Sequence, residues 1–313
     1  MTKFTKPFRL LSRTDVALAG GKGASLGEMA RAGIPVPSGF VVLTTAFESF
    51  LDETDIDVEI EAQLHKINVR DVNSIERVSE DIRGQIMSVD MPTDIAKETR
   101  LAFVALQAPT VAVRSSATAE DAAAASWAGE LESYLNVTKK DLLSAVQKCW
   151  ASLFTPRAIF YRFENKLHRT KVSVAVVVQA MIQSDVSGIC FTVHPVTKDY
   201  DQMVIEAGWG LGEAIVGGKI TPDTYVIHKK GWEILDINVS EQKKIIVRGQ
   251  HGTIERPVPP AKKTKQKLSK IQILALSKLC AKIENHYRRP QDIEWAWQRG
   301  NFYILQSRPI TTL

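Results

Sequence analysis

Residues 18–40, LAGGKGASLGEMARAGIPVPSGF, set a run of glycines around one lysine, Lys22, and lead into a helical pattern. Glycines let backbone amides approach an anion closely, a following helix turns its positive end toward it, and a lysine adds a mobile point charge. Two specific phosphate motifs fail here. A Walker loop needs Ser or Thr after the lysine, where this chain has Gly23, and a dinucleotide fingerprint would need glycine at Leu26 and a clear strand before Gly20. What remains is a general anion cradle, set against the plainer reading of a helix-start turn with a solvated lysine. A second cation, Arg114, ends the buried-strand pattern TVAVRSS. A charge there is costly unless it lines a site or finds a partner, and taken singly a buried ion pair explains it.

The C-terminal stretch QDIEWAWQRGNFYILQSRPITTL reads as two period-two strands around a turn at Arg299, Gly300 and Asn301. A three-residue turn places Gln298 opposite Phe302, Glu294 opposite Gln306 and Asp292 opposite Arg308. These polar groups then share one face, with Ile293, Trp295, Trp297, Tyr303 and Leu305 on the other. Carboxylates beside an amide oxygen suit magnesium, which takes oxygen ligands and keeps nucleotide phosphates in its shell. The alternative is a surface hairpin laced by cross-strand ion pairs.

The elements that must carry these groups follow from periodicity. A helix runs from about Ala24 to Ala32, closed by Gly33 and by Pro35 and Pro37, and amphipathic stretches follow from Thr44 to about Gln107. ATAEDAAAASWAG is too poor in large apolar side chains to pack tightly and reads as a mobile loop, after which ELESYLNV resumes a strand. A helical pattern spans Lys139 to Phe154, and VSVAVVVQAMI and VSGICFTVHP read as two core strands. Past Pro195 come the strand QMVIEAG, the glycine loop GWGLGEAIVGG, and strands in TYVIHKK and KKIIVRG. A basic, proline-containing linker then leads to a helix from Leu268 to Tyr287. The composition shift near Pro195 sets the expected boundary between two lobes, 1–193 and 194–313.

With 313 residues and 44% apolar content, the chain can bury one large core or two smaller ones. Acidic residues (35) nearly match basic ones (40), which argues against a nucleic-acid binder and leaves a small polyanionic ligand open. The cysteines, Cys149, Cys190 and Cys280, form no Cys-x-x-Cys pair, so neither a disulfide framework nor a zinc knuckle is expected. No signal-peptide core opens the sequence, and the longest apolar run falls short of the roughly 20 residues that span a bilayer. A soluble, cytoplasmic protein in a reducing compartment is the expectation.

Six ordered blocks carry a resemblance: GGKGASLGEM with GIPVPSGFVV, VAVRSSATAEDAAAASWAGELESYLNV, RAIFYR, GICFTVHPVT, EAGWGLGEAIVGGKITPDTYVIHK, and IENHYRRPQDIEWAW with YILQSRPIT. Together they resemble the N-terminal nucleotide-binding domain of the phosphoenolpyruvate synthase and pyruvate phosphate dikinase family, a domain that rifampicin phosphotransferase shares. The likeness runs from about Asp15 to Thr311. It implies an α+β, ATP-grasp fold with two lobes holding ATP between them. It also implies an ATP-dependent phosphotransferase in which Lys22 and Arg114 contact the nucleotide phosphates. Gly129 and Ser133 would lie along the triphosphate, and Gln179 and Met181 would meet the adenine. Glu294 and Gln306 would hold magnesium, with Arg308 as the second phosphate-side arginine and Asp292 beside them.

Where family members carry Leu-Pro after AED and two polar residues after the following Ala-Gly, this chain has Ala122-Ala123 and Glu130-Leu131, which bears on loop stiffness and on one phosphate contact. In the family, ATP becomes AMP and phosphate while a phosphohistidine carrier domain takes the transferred group. None of the six histidines here stands in the Thr-x-x-His-Ala setting of that carrier. The expected partner is therefore a histidine carrier supplied in trans or by a longer enzyme of which this chain is a fragment, with phosphoenolpyruvate synthesis as the overall function. The alternatives are the same module of an antibiotic phosphotransferase and a nucleotide-binding protein without catalysis.

Overall fold

The computed structural model describes residues 3–118, 132–165, 172–250 and 252–311, so the expected small-residue loop, with Gly129, lies outside the described residues. The chain divides into two compact units, Met1–Arg31 with Ser38–Met181 and Ala32–Pro37 with Ile182–Leu313.

In the first unit, strands β1 (Thr5–Pro7), β2 (Gly39–Val42), β3 (Val111–Ala117), β4 (Ser133–Val137) and β5 (Val174–Ala180) form one antiparallel sheet in the order β1-β2-β5-β3-β4. The helices of this unit are α1 (Val16–Arg31), α2 (Thr44–Glu53), α3 (Ile56–Leu64), α4 (Val72–Ser88), α5 (Thr93–Leu106), α6 (Leu142–Ala151) and α7 (Pro156–Glu164). Strand alternation sends Val111, Val113, Val174, Val176 and Val178 into a core with Phe47, Phe50, Ile82, Ile86, Ile95 and Trp150. That burial of β-branched and aromatic side chains is the main force holding the unit together. The other face of the sheet carries α1.

Helix α1 begins at Val16, earlier than its periodicity predicts, and Gly20 breaks it with φ +65°. A Cβ at Gly20 would stand 2.2 Å from the Ser116 carbonyl oxygen, so glycine is required both for the angle and for the close approach. Lys22 consequently belongs to the first turn after the break. Strand β3 also continues to Ala117, past the expected end at Arg114. Serines 115 and 116 tolerate this extension because their hydroxyls bond to the Glu132 and Ala19 carbonyls at 2.8 and 3.0 Å.

In the second unit, β6 (Val186–Phe191), β7 (Gln202–Trp209), β8 (Asp223–His228), β9 (Glu233–Asn238), β12 (Gln291–Gln298) and β13 (Asn301–Pro309) form an antiparallel sheet ordered β13-β12-β6-β7-β8-β9. Strands β10 (Lys244–Arg248) and β11 (Thr253–Pro257) make a separate ribbon. A short helix α8 (Glu213–Val216) follows β7, and α9 (Lys270–Tyr287) starts at a capping box between Ser269 and Gln272. Helix α9 covers the sheet face that bears Cys190, Ile205, Ile293 and Trp295, all buried.

The division falls after Met181 and not at 193/194. Strand β6 is central to the second sheet, bonded to β7 on one side and β12 on the other, and a boundary at 193/194 would cut it from both. The proline connector 32–37 belongs to the second unit as well, where the Ile304 amide donates to the Pro35 carbonyl at 2.9 Å.

Candidate functional site

The first unit gathers its polar residues on the α1 face of the sheet. Directly paired residues of an antiparallel ladder share a face. Arg114 pairs with Ser133 on β4 and Val177 on β5, while Ala112, two residues back, pairs with Gln179. Arg114, Ser133, Ser116 and Gln179 therefore stand on one side. The glycine turn is pinned to the same side, since Ser116 Oγ accepts from the Gly23 amide at 3.2 Å and donates to the Ala19 carbonyl at 3.0 Å. Ser116, which sequence reasoning passed over, is thus the residue that sets the Lys22 turn against the Arg114 strand. Gln179 is 3% exposed and its Nε2 has no hydrogen-bond partner among the described residues. A buried amide left so is costly, and a ligand acceptor would satisfy it. The Met181 amide is held by the Thr110 carbonyl at 3.1 Å.

The second unit carries the hairpin. Its turn is tighter than predicted: Arg299 and Gly300, with φ of +48° and +86°, form a two-residue loop that pairs Gln298 with Asn301 and Trp297 with Phe302. A bulge at Leu305 then restores the expected register, so that Glu294 still faces Gln306 and Asp292 faces Arg308. Tyr303, expected on the apolar face, pairs with Ala296 on the polar one. Ile304 takes its place, fully buried against Trp295.

Across the sheet, the polar row runs from Gln306 to Glu294, Ile189, Glu206 and Thr224. Glu206 was missed from sequence, although the signal was there: a carboxylate within the buried strand QMVIEAG poses the same question as Arg114 does. Burial pushes the Glu206 carboxyl up, and the charge of Asp292 adds to it. Asp292 itself is raised by burial, with the adjacent Glu294 adding to the rise, while Arg308 opposes both through Nε and Nη2, which donate to Asp292 Oδ2 at 2.9 and 2.7 Å. Next to this row, α8 lies over the Ser187 and Gly208 positions, where a Cβ on Gly208 would meet Ile220 and Ile215 at 2.8 and 3.1 Å. Among the described residues no group of three or more His, Cys, Asp or Glu forms a metal cage. None of their helices is long and apolar enough to cross a membrane.

Residues 16–313 match the family model described as pyruvate phosphate dikinase, AMP/ATP-binding domain. The chain belongs to this AMP/ATP-binding domain family. The domain is 44% identical over its whole length to a probable phosphoenolpyruvate synthase of Methanothermobacter thermautotrophicus, of which it covers 47%. It is 41% identical, over 99% of its length, to the phosphoenolpyruvate synthase of Pyrococcus furiosus, covering 44% of that protein. The rifampicin phosphotransferase of Bacillus subtilis is 40% identical over 97% of the domain, which covers 35% of it. The AMP/ATP-binding domain thus spans less than half the length of these curated relatives.

Proposed function

We propose that this chain is the Mg-ATP-binding phosphotransfer module of a phosphoenolpyruvate synthase-like enzyme, built as a two-lobed ATP-grasp in which both units serve one nucleotide. The observation that carries the reading is the pairing of Glu294 with Gln306 beside the Asp292–Arg308 ion pair, within a chain that matches a nucleotide-binding family along nearly all its length. In this reading Lys22, Arg114 and Arg308 neutralise the phosphates, with Gly129 and Ser133 along the triphosphate. Gln179 and Met181 meet the adenine, the first through its Nε2, which has no partner among the described residues.

Glu294 and Gln306 supply two oxygen donors on one face, a set that fits magnesium with phosphate and water completing its shell. Magnesium, when bound, would neutralise charge that builds on the transferring phosphates. Phosphoryl transfer asks the protein chiefly for positioning and charge neutralisation, which these cations and oxygens provide without a protein base. An imidazole nitrogen of the carrier attacks the β-phosphorus, AMP leaves, and the terminal phosphate is later released by hydrolysis, which leaves a phosphohistidine. The accepting histidine lies outside residues 1–313. A kinase module acting on rifampicin is the second reading, supported by the 40% identity to that enzyme, and it differs in acceptor and not in nucleotide chemistry.

Mixing the chain with a candidate histidine-carrier protein and ATP tests the proposal. AMP and phosphohistidine should appear together. Formation of ADP in place of AMP would overturn the dikinase reading.

A further inference from the structure

The near balance of charge over the whole chain hides two segregated patches. The segment from Glu241 to Lys270 carries Lys243, Lys244, Arg248, Arg256, Lys262 and Lys265 exposed on the β10–β11 ribbon and the linker after it, against only Glu241 and Glu255. Those two acids pair with Lys243 and Lys244 at 3.9 and 2.8 Å, and Arg248, Arg256 and Lys265 have no ion-pair partner among the described residues. In the first unit, the end of α2 and all of α3 expose Asp52, Glu53, Asp55, Asp57, Glu59 and Glu61, with no basic residue between them and no ion pair among the described residues. Each patch also has an apolar centre. Val58 is 72% exposed amid the acids, and Ile254 is 38% exposed on the basic ribbon.

We infer that the basic β10–β11 ribbon docks on the acidic α2–α3 segment of a second copy of this chain. An exposed apolar residue ringed by charge is the anatomy of a protein contact, with the rim setting partner and register. Nucleic acid is a poorer occupant. No Phe, Tyr or Trp lies in 241–270 to stack on a base. The adjacent Trp209 is already engaged, its Nε1 donating to the Lys262 carbonyl at 3.0 Å and its ring lying under Lys262 Nζ at 5.2 Å. Lysines outnumber arginines in the ribbon and linker, which also disfavours bidentate phosphate recognition. The complementary acidic patch is present in this same sequence, and a two-fold pairing of copies makes the contact twice.

Sedimentation of the 313-residue chain at two salt concentrations tests it. At about 0.01 M salt, where screening reaches about 30 Å, the mass should be twice that of the monomer, and at about 1 M salt it should fall to the monomer. A ribbon-reversed variant (Lys244→Glu, Arg248→Glu, Arg256→Glu) and a helix-reversed variant (Asp55→Lys, Asp57→Lys, Glu59→Lys) should each be monomeric at low salt. Mixed in equal amounts they should regain the doubled mass, since each then offers the other both matching contacts. A chain that is monomeric at low salt overturns the inference, as does a dimer indifferent to salt. Retardation of a mixed-sequence single-stranded DNA by a monomeric chain would assign the ribbon to nucleic acid instead. Should either variant fail to fold, the salt response of the unmodified chain decides alone.

Discussion

Glu294 and Gln306 face each other across the hairpin because Leu305 bulges out of β13. A two-residue turn continued without the bulge would set Leu305 opposite Glu294 and turn Gln306 to the α9 side, since a one-residue slip reverses every side chain of a strand. The candidate metal pair thus depends on a backbone irregularity near the middle of the ladder, and the tight turn and the bulge offset one another.

The turn itself is open to test. Arg299 adopts φ +48°, where a residue with an ordinary Cβ is strained, and Asn tolerates that region better. Arg299→Asn should stabilise the chain by up to about 1 kcal/mol, read as a higher urea midpoint. A lower midpoint would count against the assigned turn.

Removing Lys22 or Arg114 should weaken ATP binding while leaving the fold intact, since neither belongs to the apolar core. Hydrogen bonds to charged groups contribute about 1.5–3 kcal/mol, so calorimetry of Lys22→Ala and Arg114→Ala should show a loss of roughly tenfold to a hundredfold in affinity. Unchanged affinity would remove these cations from the phosphate site.

Glu294→Ala should abolish the magnesium dependence of nucleotide binding, whereas Asp292→Asn should retain it and lose instead the charge partner of Arg308. Titration of ATP with and without magnesium distinguishes the two. A magnesium response that survives in Glu294→Ala refutes the metal assignment.

The Glu206 carboxyl is raised in the folded chain by burial first and by Asp292 second. A folded state that binds the proton more tightly than the unfolded one loses stability as pH climbs from the ordinary carboxylate value through the raised one. Glu206→Gln should therefore melt higher than the unmodified chain at neutral pH, with the difference shrinking toward acid. A difference that stays constant from acid to neutral pH would show that the charge of Glu206 is not the destabilising feature.

The buried pair of Lys267 and Asp223, at 2.7 Å with both side chains fully enclosed, ties the linker before α9 to β8. Lys267→Met leaves a buried carboxylate without its cation and should cost about 3–5 kcal/mol, measured by thermal or urea unfolding. A loss below about 1 kcal/mol would mean that water or Tyr225 compensates fully, which the bond from Tyr225 to Asp223 at 2.7 Å makes the natural alternative to examine.

Much of this protein is written in local sequence. Apolar periodicity locates the core strands and the long helices, because period two and period 3.6 are imposed by the backbone itself. The pairing of Glu294 with Gln306 and Asp292 with Arg308 also follows from alternation about the turn, even though the turn proposed for it is wrong in length. Tertiary structure alone decides the rest. That β6 belongs to the second unit depends on partners far away in the chain, β7 and β12, which no local window contains. That Ser116 fastens the glycine turn beside Arg114, and that Glu206 joins the row of Glu294 and Gln306, depends on which strands lie side by side. Strand order is set by the burial of whole sheet faces, a non-local sum to which each residue contributes only a little, and so it cannot be read from any one stretch.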